Sequence, residues 1–233
     1  MSKKEDLRKQ RENTIINEIS SQQEKELDLA ITMVQNALMK EFKGISLRIE
    51  KQWFLKDVIE DLKKAFPNIE FHHHHLKSSM RPDGGILSLE NKKGELYPIL
   101  ITEKKNQGTN DSRLSEGKKP QAKGNAIERL GKNVIGFRTA LLDECIFPFI
   151  CFGDGCDFSE DSTILDRVTT IAMFGELNKE YLYTQSDKFN RGSFYFRVDP
   201  WTVDEMFNIA LKIAIGSVYY YFSKYGKEQF ITT

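Results

Sequence analysis

The feature that most constrains the fold is a pair of short segments, Gly85–Glu90 and Leu96–Thr102, separated by the turn residues Lys92-Lys93-Gly94. Each segment has the length and the residue types of a β-strand, and a turn this short joins antiparallel neighbours. Short strands joined in this way imply a sheet. The sequence therefore predicts a β-sheet in the middle of the chain.

Helices and further strands are predicted on both sides of this hairpin. Apolar residues recur every three or four positions from Leu27 to Phe42, which places them on one face of a helix, and Gly44 follows as a stop. Thr202 and Glu205 form a capping box at the start of a largely apolar final helix. The other predicted elements are strands at Ile45–Ile49, Ile69–Leu76 and Cys145–Phe152, helices at Trp53–Phe66, Asn125–Asp143 and Ile164–Phe174, and short strands near Tyr181 and Phe194. This alternation predicts an α/β fold, a mixed central β-sheet flanked by helices.

Composition narrows the class of protein. The chain has 34 basic and 34 acidic residues, so a uniformly basic protein is excluded and any nucleic-acid surface must be local. Residues 1–25 are polar and predict a solvated helix or loose arm before a single domain at 26–233. The three cysteines match neither a zinc site nor a disulfide framework, and no apolar run suits a signal or a membrane span. We expect a cytoplasmic protein.

Residues 106–124 contain almost no large apolar side chain and are expected to form a long polar excursion. Loops this long in a compact domain are often functional. Nine basic and three acidic residues lie between Lys104 and Arg138, which gives this part of the chain a local charge of +6. The excursion is therefore predicted to face a polyanion such as DNA.

Two carboxylates and a lysine are predicted to meet at one end of the hairpin. Asp83 precedes the first strand and Glu103 follows the second, while Lys105 shares the strand face of Glu103. Carboxylate oxygens suit Mg²⁺, and a lysine beside the ion suits metal-assisted phosphodiester hydrolysis. An ordinary Pro-Asp-Gly-Gly turn followed by a solvated strand end explains the same residues equally well.

The block GNAIER, residues 124–129, opens the helix that follows the excursion. A helix N-terminus favours phosphate, and Asn125 and Arg129 are residue types that read base edges. Asn125 as a plain N-cap, with Glu128 and Arg129 on the surface, is the alternative.

Taken together, three blocks resemble the EcoRI-type restriction endonucleases, a branch of the PD-(D/E)XK nucleases. They are RPDGGI at 81–86, EKKNQG at 103–108 and GNAIER at 124–129, in the order and at separations similar to those of the family. Weaker similarity extends from about Ile45 to Arg167.

The resemblance implies a type II restriction endonuclease that needs Mg²⁺, acts as a homodimer on a palindrome in double-stranded DNA, leaves 5′ overhangs and is paired with a DNA methyltransferase. Asp83, Glu103 and the carbonyl of Lys104 would hold the metal, and Lys105 would be the catalytic lysine. The residues implied to contact DNA, around a central AATT, are Gln107, Lys123, Gly124, Asn125, Ala126, Glu128, Arg129 and Arg167.

The sequence also departs from the family's prototype. Lys104 replaces a small residue, Gln121-Ala122-Lys123 replaces a more apolar run, and Ile164 stands where an arginine is expected. The last two changes concern the outer base pair, so the flanking base stays open. A structure-directed nuclease and a non-cleaving DNA-binding protein are the alternative functions.

Two conspicuous runs receive structural interpretations. His72–His75 alternate between the faces of a predicted strand and are assigned to a solvated or DNA-facing segment rather than to a metal site. Tyr219–Phe222 has the helical spacing of core or dimer packing rather than that of a base-stacking platform.

Overall fold

The computed structural model describes residues 15–106, 117, 125–183 and 189–232. The helices are α1 (Ile15–Glu41), α2 (Leu55–Ala65), α3 (Asn125–Ala140), α4 (Ile164–Ile171) and α5 (Val203–Tyr225). The strands are β1 (Ser46–Glu50), β2 (Trp53–Phe54), β3 (Ser79–Met80), β4 (Gly85–Glu90), β5 (Leu96–Asn106), β6 (Phe149–Asp154) and β7 (Ser193–Arg197). No helix within these residues is long and apolar enough to cross a membrane.

The central sheet has the strand order β1-β4-β5-β6-β7. β1, β4 and β5 form an antiparallel meander, whereas β5, β6 and β7 run parallel. β2 and β3 form a separate two-residue ribbon. The predicted α/β fold with a mixed central sheet is confirmed.

Each face of the sheet carries its own apolar core, as the period-two alternation of a strand requires. Leu100 on β5 and Phe152 on β6 pack with α1 and α5. Ile101 and Cys151, one position away on the same strands, pack with α3 and α4 on the opposite face. Neighbouring residues at the ends of β5 and β6 therefore belong to chemically separate sides of the molecule.

The final helix has the predicted capping box. The Thr202 hydroxyl accepts the Glu205 backbone N–H at 3.3 Å, and the Glu205 carboxylate accepts the Thr202 backbone N–H at 3.0 Å. Gly226 ends the helix with φ near 90°. Tyr221 and Phe222 are buried in the core, whereas Tyr219 is exposed at the helix surface.

The predicted strand at Ile69–Leu76 is wrong. This segment has no regular structure, and strand pairing begins only at Ser79. Three of its four histidines are exposed and His73 is partly exposed, so the segment has no buried face to fix a strand register.

Other element boundaries also differ from the predictions. β6 begins at Phe149 rather than at Cys145, because Pro148 has no N–H to donate to a ladder. Tyr181 is not in a strand, since its backbone N–H and carbonyl bond the hydroxyl of Ser193. α1 begins at Ile15, so the second half of the polar arm is helical, an option that the sequence left open. The division between an arm and a domain remains a prediction.

Candidate functional site

The RPDGGI block forms a tight turn that fixes Asp83 at the open end of the hairpin. The Gly85 N–H donates to the Pro82 carbonyl at 3.2 Å, and Gly85 has a φ of +79°, which favours glycine. A side chain at Gly84 would collide with the Thr102 hydroxyl and with Leu27. Both glycines are therefore needed to place Asp83.

Glu103 and Lys105 lie on a part of β5 that extends beyond the hairpin. The pairing with β4 ends at Gly85 and Thr102, and β5 then continues beside β6 as far as Asn106. The predicted strand end at Thr102 was therefore four residues short. Parallel strands of α/β sheets bind ligands at their carboxyl ends, which is where these side chains lie.

The structure brings Asp83, Glu103 and Lys105 together. The Lys105 ammonium donates to Asp83 Oδ2 at 3.0 Å, to the Lys104 carbonyl at 3.0 Å and to Glu103 Oε1 in a shorter contact. The backbone N–H of Asp83 donates to Glu103 Oε2 at 3.3 Å. The backbone N–H of Lys104 donates to Asp83 Oδ2 at 3.1 Å. Two carboxylates, one carbonyl and one ammonium thus share a small volume.

Burial makes the two carboxylates unequal. The side chain of Glu103 is 3% exposed and that of Asp83 is 33% exposed. Burial raises the pKa of Glu103; the charge of Lys105 opposes this shift and that of Asp83 adds to it. Burial by itself would lower the pKa of Lys105, but the Glu103 and Asp83 carboxylates outweigh it and raise that pKa. The lysine therefore remains a cation.

The donor set fits a divalent cation such as Mg²⁺. Mg²⁺ takes oxygen ligands, usually with only one or two protein carboxylates, and Asp83, Glu103 and the Lys104 carbonyl are of this kind. The ammonium of Lys105 already lies against all three, which shows that the pocket favours positive charge. Among the described residues, no group of three or more His, Cys, Asp or Glu side chains is placed to hold a metal ion.

Helix α3 carries the third block. Its buried stripe is Ile127, Leu130, Val134 and Phe137, at helical spacing, and it packs against the sheet on the face of Glu103. Glu128 and Arg129 lie off this stripe and are exposed, as is Arg167 on α4. Gln107, Lys123, Gly124 and the side chains of Asn125 and Ala126 lie outside the part of the chain that the structure describes.

Asn133 is a site residue that the sequence analysis missed. Its side-chain amide donates to Glu103 Oε1 at 3.4 Å and so joins α3 to the carboxylate pair. Asn133 follows Arg129 by four residues and therefore lies on nearly the same side of the helix. That spacing is a signal in the sequence that could have pointed to it, but the contact itself depends on how α3 packs on the sheet.

Comparison with known proteins agrees with this geometry. Residues 9–164 match the family model described as restriction endonuclease EcoRI. The type II restriction enzyme RsrI of Cereibacter sphaeroides is 28% identical over 220 residues, 79% of each chain. The type II restriction enzyme EcoRI of Escherichia coli is 30% identical over 152 residues, 60% of this chain and 55% of that enzyme. The chain belongs to the EcoRI restriction endonuclease family, whose named members here are type II restriction enzymes.

Proposed function

We propose that this type II restriction endonuclease requires Mg²⁺ and cleaves duplex DNA at a palindrome with a central AATT, leaving 5′ overhangs. The observation that carries the proposal is the contact of Lys105 with Asp83, Glu103 and the Lys104 carbonyl. This cluster lies beside the helix that carries the GNAIER block. Cleavage chemistry and base recognition would therefore share one surface.

The chain's own residues divide the chemistry between them. Asp83, Glu103 and the Lys104 carbonyl would hold Mg²⁺, which when bound supplies Lewis-acid stabilisation of phosphate charge and lowers the pKa of water. The pKa of Lys105 is raised, so its ammonium stays charged and can offset charge on the scissile phosphate. Asn133 restrains the carboxylate of Glu103 from the side of α3.

Recognition is assigned to the start of α3 and to its neighbours. Asn125, Glu128 and Arg129 would bind the adenines of AATT, and both described side chains, Glu128 and Arg129, are exposed. Arg167, exposed on α4, would contact DNA near the outer base pair. Gln107, Lys123, Gly124 and Ala126 complete the proposed DNA-binding set. The identity of the flanking base is left to experiment.

We propose a homodimer, because two copies related by a two-fold axis match a two-fold DNA site and cut one strand each. Such an enzyme, acting in the cytoplasm, needs a cognate DNA methyltransferase that protects the DNA of the host cell. Gel filtration with cognate duplex is expected to give a complex containing two chains. A complex with one chain would contradict the dimer.

Replacing Asn125 with Ala is expected to reduce discrimination at adenine. A bidentate side-chain contact to a base contributes about 1–3 kcal/mol, so the preference for AATT over a duplex with one substituted adenine should fall roughly fivefold to 150-fold. Competition binding in EDTA measures this preference without cleavage. Asn208→Ala, at an exposed position of α5, is the matched control and should change nothing. Unchanged discrimination in Asn125→Ala would remove this residue from the recognition set.

A further inference from the structure

A buried ion pair lies directly behind the carboxylate cluster, on the other face of the sheet. The side chain of Lys104 points away from Glu103 and Lys105, and its Nζ lies 3.5 Å from Oδ2 of Asp154. The two side chains are only 5% and 2% exposed. Charged side chains are rarely buried to this depth, and they are tolerated there only when they are paired.

Asp154 contacts β5 on both sides of Lys105. Its Oδ2 faces Lys104, and its Oδ1 accepts the side-chain amide of Asn106 at 2.9 Å. In the parallel register, Asn106 at the end of β5 is opposite Asp154 at the end of β6. One carboxylate thus ties the residues before and after Lys105 to the neighbouring strand.

The backbone of Lys104 is part of the carboxylate cluster. Its N–H donates to Asp83 at 3.1 Å, and its carbonyl accepts the Lys105 ammonium at 3.0 Å. A side chain held at its far end restricts rotation of the backbone that carries it. The pair with Asp154 therefore acts on the orientation of a carbonyl and of an N–H that both belong to the site.

We propose that the Lys104–Asp154 pair is a positioning element for the cleavage site. It holds the Lys104 carbonyl and the flanking Lys105 in the arrangement in which Asp83 and Glu103 take up a divalent cation. Neither Lys104 nor Asp154 touches the reacting atoms with its side chain. This inference rests on the proposed function, because it assigns the pair a role toward the proposed metal.

The test removes both charges together. Removing one partner leaves the other charge buried and unpaired, which destabilises the fold. Replacing both charged side chains by neutral ones generally leaves stability nearly unchanged. The double variant Lys104→Met/Asp154→Asn keeps side-chain size, and Asn at 154 can still accept the Asn106 amide. The first measurement is Mn²⁺ binding in the absence of DNA, monitored through the decrease in the EPR signal of the free ion. Single-turnover cleavage and the thermal unfolding midpoint are the others.

Supporting residues of metal sites typically affect affinity or activity by about 10- to 100-fold. We expect the double variant to keep its unfolding midpoint and its metal-free affinity for DNA. Its half-saturating Mn²⁺ concentration should rise, and its cleavage rate should fall, by factors in that range. The matched control is Lys51→Met/Asp28→Asn, which removes a pair at 3.6 Å that is exposed on both sides. It should behave as the wild type.

The outcomes are separable. A folded double variant with wild-type Mn²⁺ binding and cleavage overturns the inference. If the double variant does not fold, Lys104→Met/Asp154→Leu, in which two apolar side chains replace the buried pair, takes its place; weaker Mn²⁺ binding supports the inference and unchanged binding overturns it. A wild-type protein that binds Mn²⁺ but cuts no DNA refutes the proposed function alone. A wild-type protein that neither binds Mn²⁺ nor cleaves DNA in its presence refutes both.

Discussion

The variant Glu103→Gln is expected to bind cognate DNA in the absence of metal as the wild type does, and to cleave it about 10³-fold more slowly. The Glu103 carboxylate accepts hydrogen bonds from the Asp83 N–H, from Lys105 and from Asn133, which fix its position in the site. Glutamine keeps the size of the side chain but removes the negative charge that a divalent cation requires. Single-turnover cleavage with saturating enzyme, beside metal-free binding, separates the two effects.

Glu90→Gln provides the matched control for this experiment. Glu90 is the last residue of β4, at the opposite end of the hairpin from Asp83, and its carboxylate accepts the hydroxyl of Ser46 at 2.9 Å. The same substitution there should leave cleavage intact. If Glu103→Gln lost binding and cleavage to the same extent, Glu103 would be a structural residue rather than a metal ligand.

Replacing Lys105 with Met is expected to lower the cleavage rate by about 10²- to 10³-fold, because a preorganised cation at the scissile phosphate is removed. A second effect concerns pH. The charge of Lys105 opposes the burial that raises the pKa of Glu103, so its removal raises that pKa further. Protons and metal compete for the same carboxylate. The residual activity should therefore require a higher pH than wild-type activity at the same Mg²⁺ concentration.

The pH–rate profile distinguishes the effect of the Lys105 charge on Glu103 from a simple loss of structure. Lys93→Met, at an exposed position in the β4–β5 turn, is the matched control and should keep both the rate and the profile. A Lys105→Met protein that is slow but whose profile is unshifted, or shifted to lower pH, would contradict the proposed coupling between Lys105 and Glu103.

Local patterns in the sequence were enough to predict several elements. The hairpin was visible because its strands are short and apolar and its turn is marked by Lys92-Lys93-Gly94. The capping box at Thr202 was visible because it depends only on residues three apart. The cluster of Asp83, Glu103 and Lys105 followed from the hairpin and from strand parity, and the structure has these side chains in contact.

What depends on tertiary packing was not visible. Lys104 was considered only for its backbone, because its buried partner, Asp154, is 50 residues away and meets it only through the parallel β5–β6 register. Asn133 reaches Glu103 only because α3 packs on that face of the sheet. The histidine run was mistaken for a strand, since alternation of residues does not by itself provide a buried face.

Digestion of an unmethylated genome of known sequence, with and without Mg²⁺, followed by sequencing of the fragment ends, tests the central claim most directly. We expect discrete, Mg²⁺-dependent ends with 5′ overhangs at palindromes that contain AATT, and the same reads identify the flanking base. Random nicking, cutting only at unusual DNA structures, or binding without Mg²⁺-dependent cutting would contradict it.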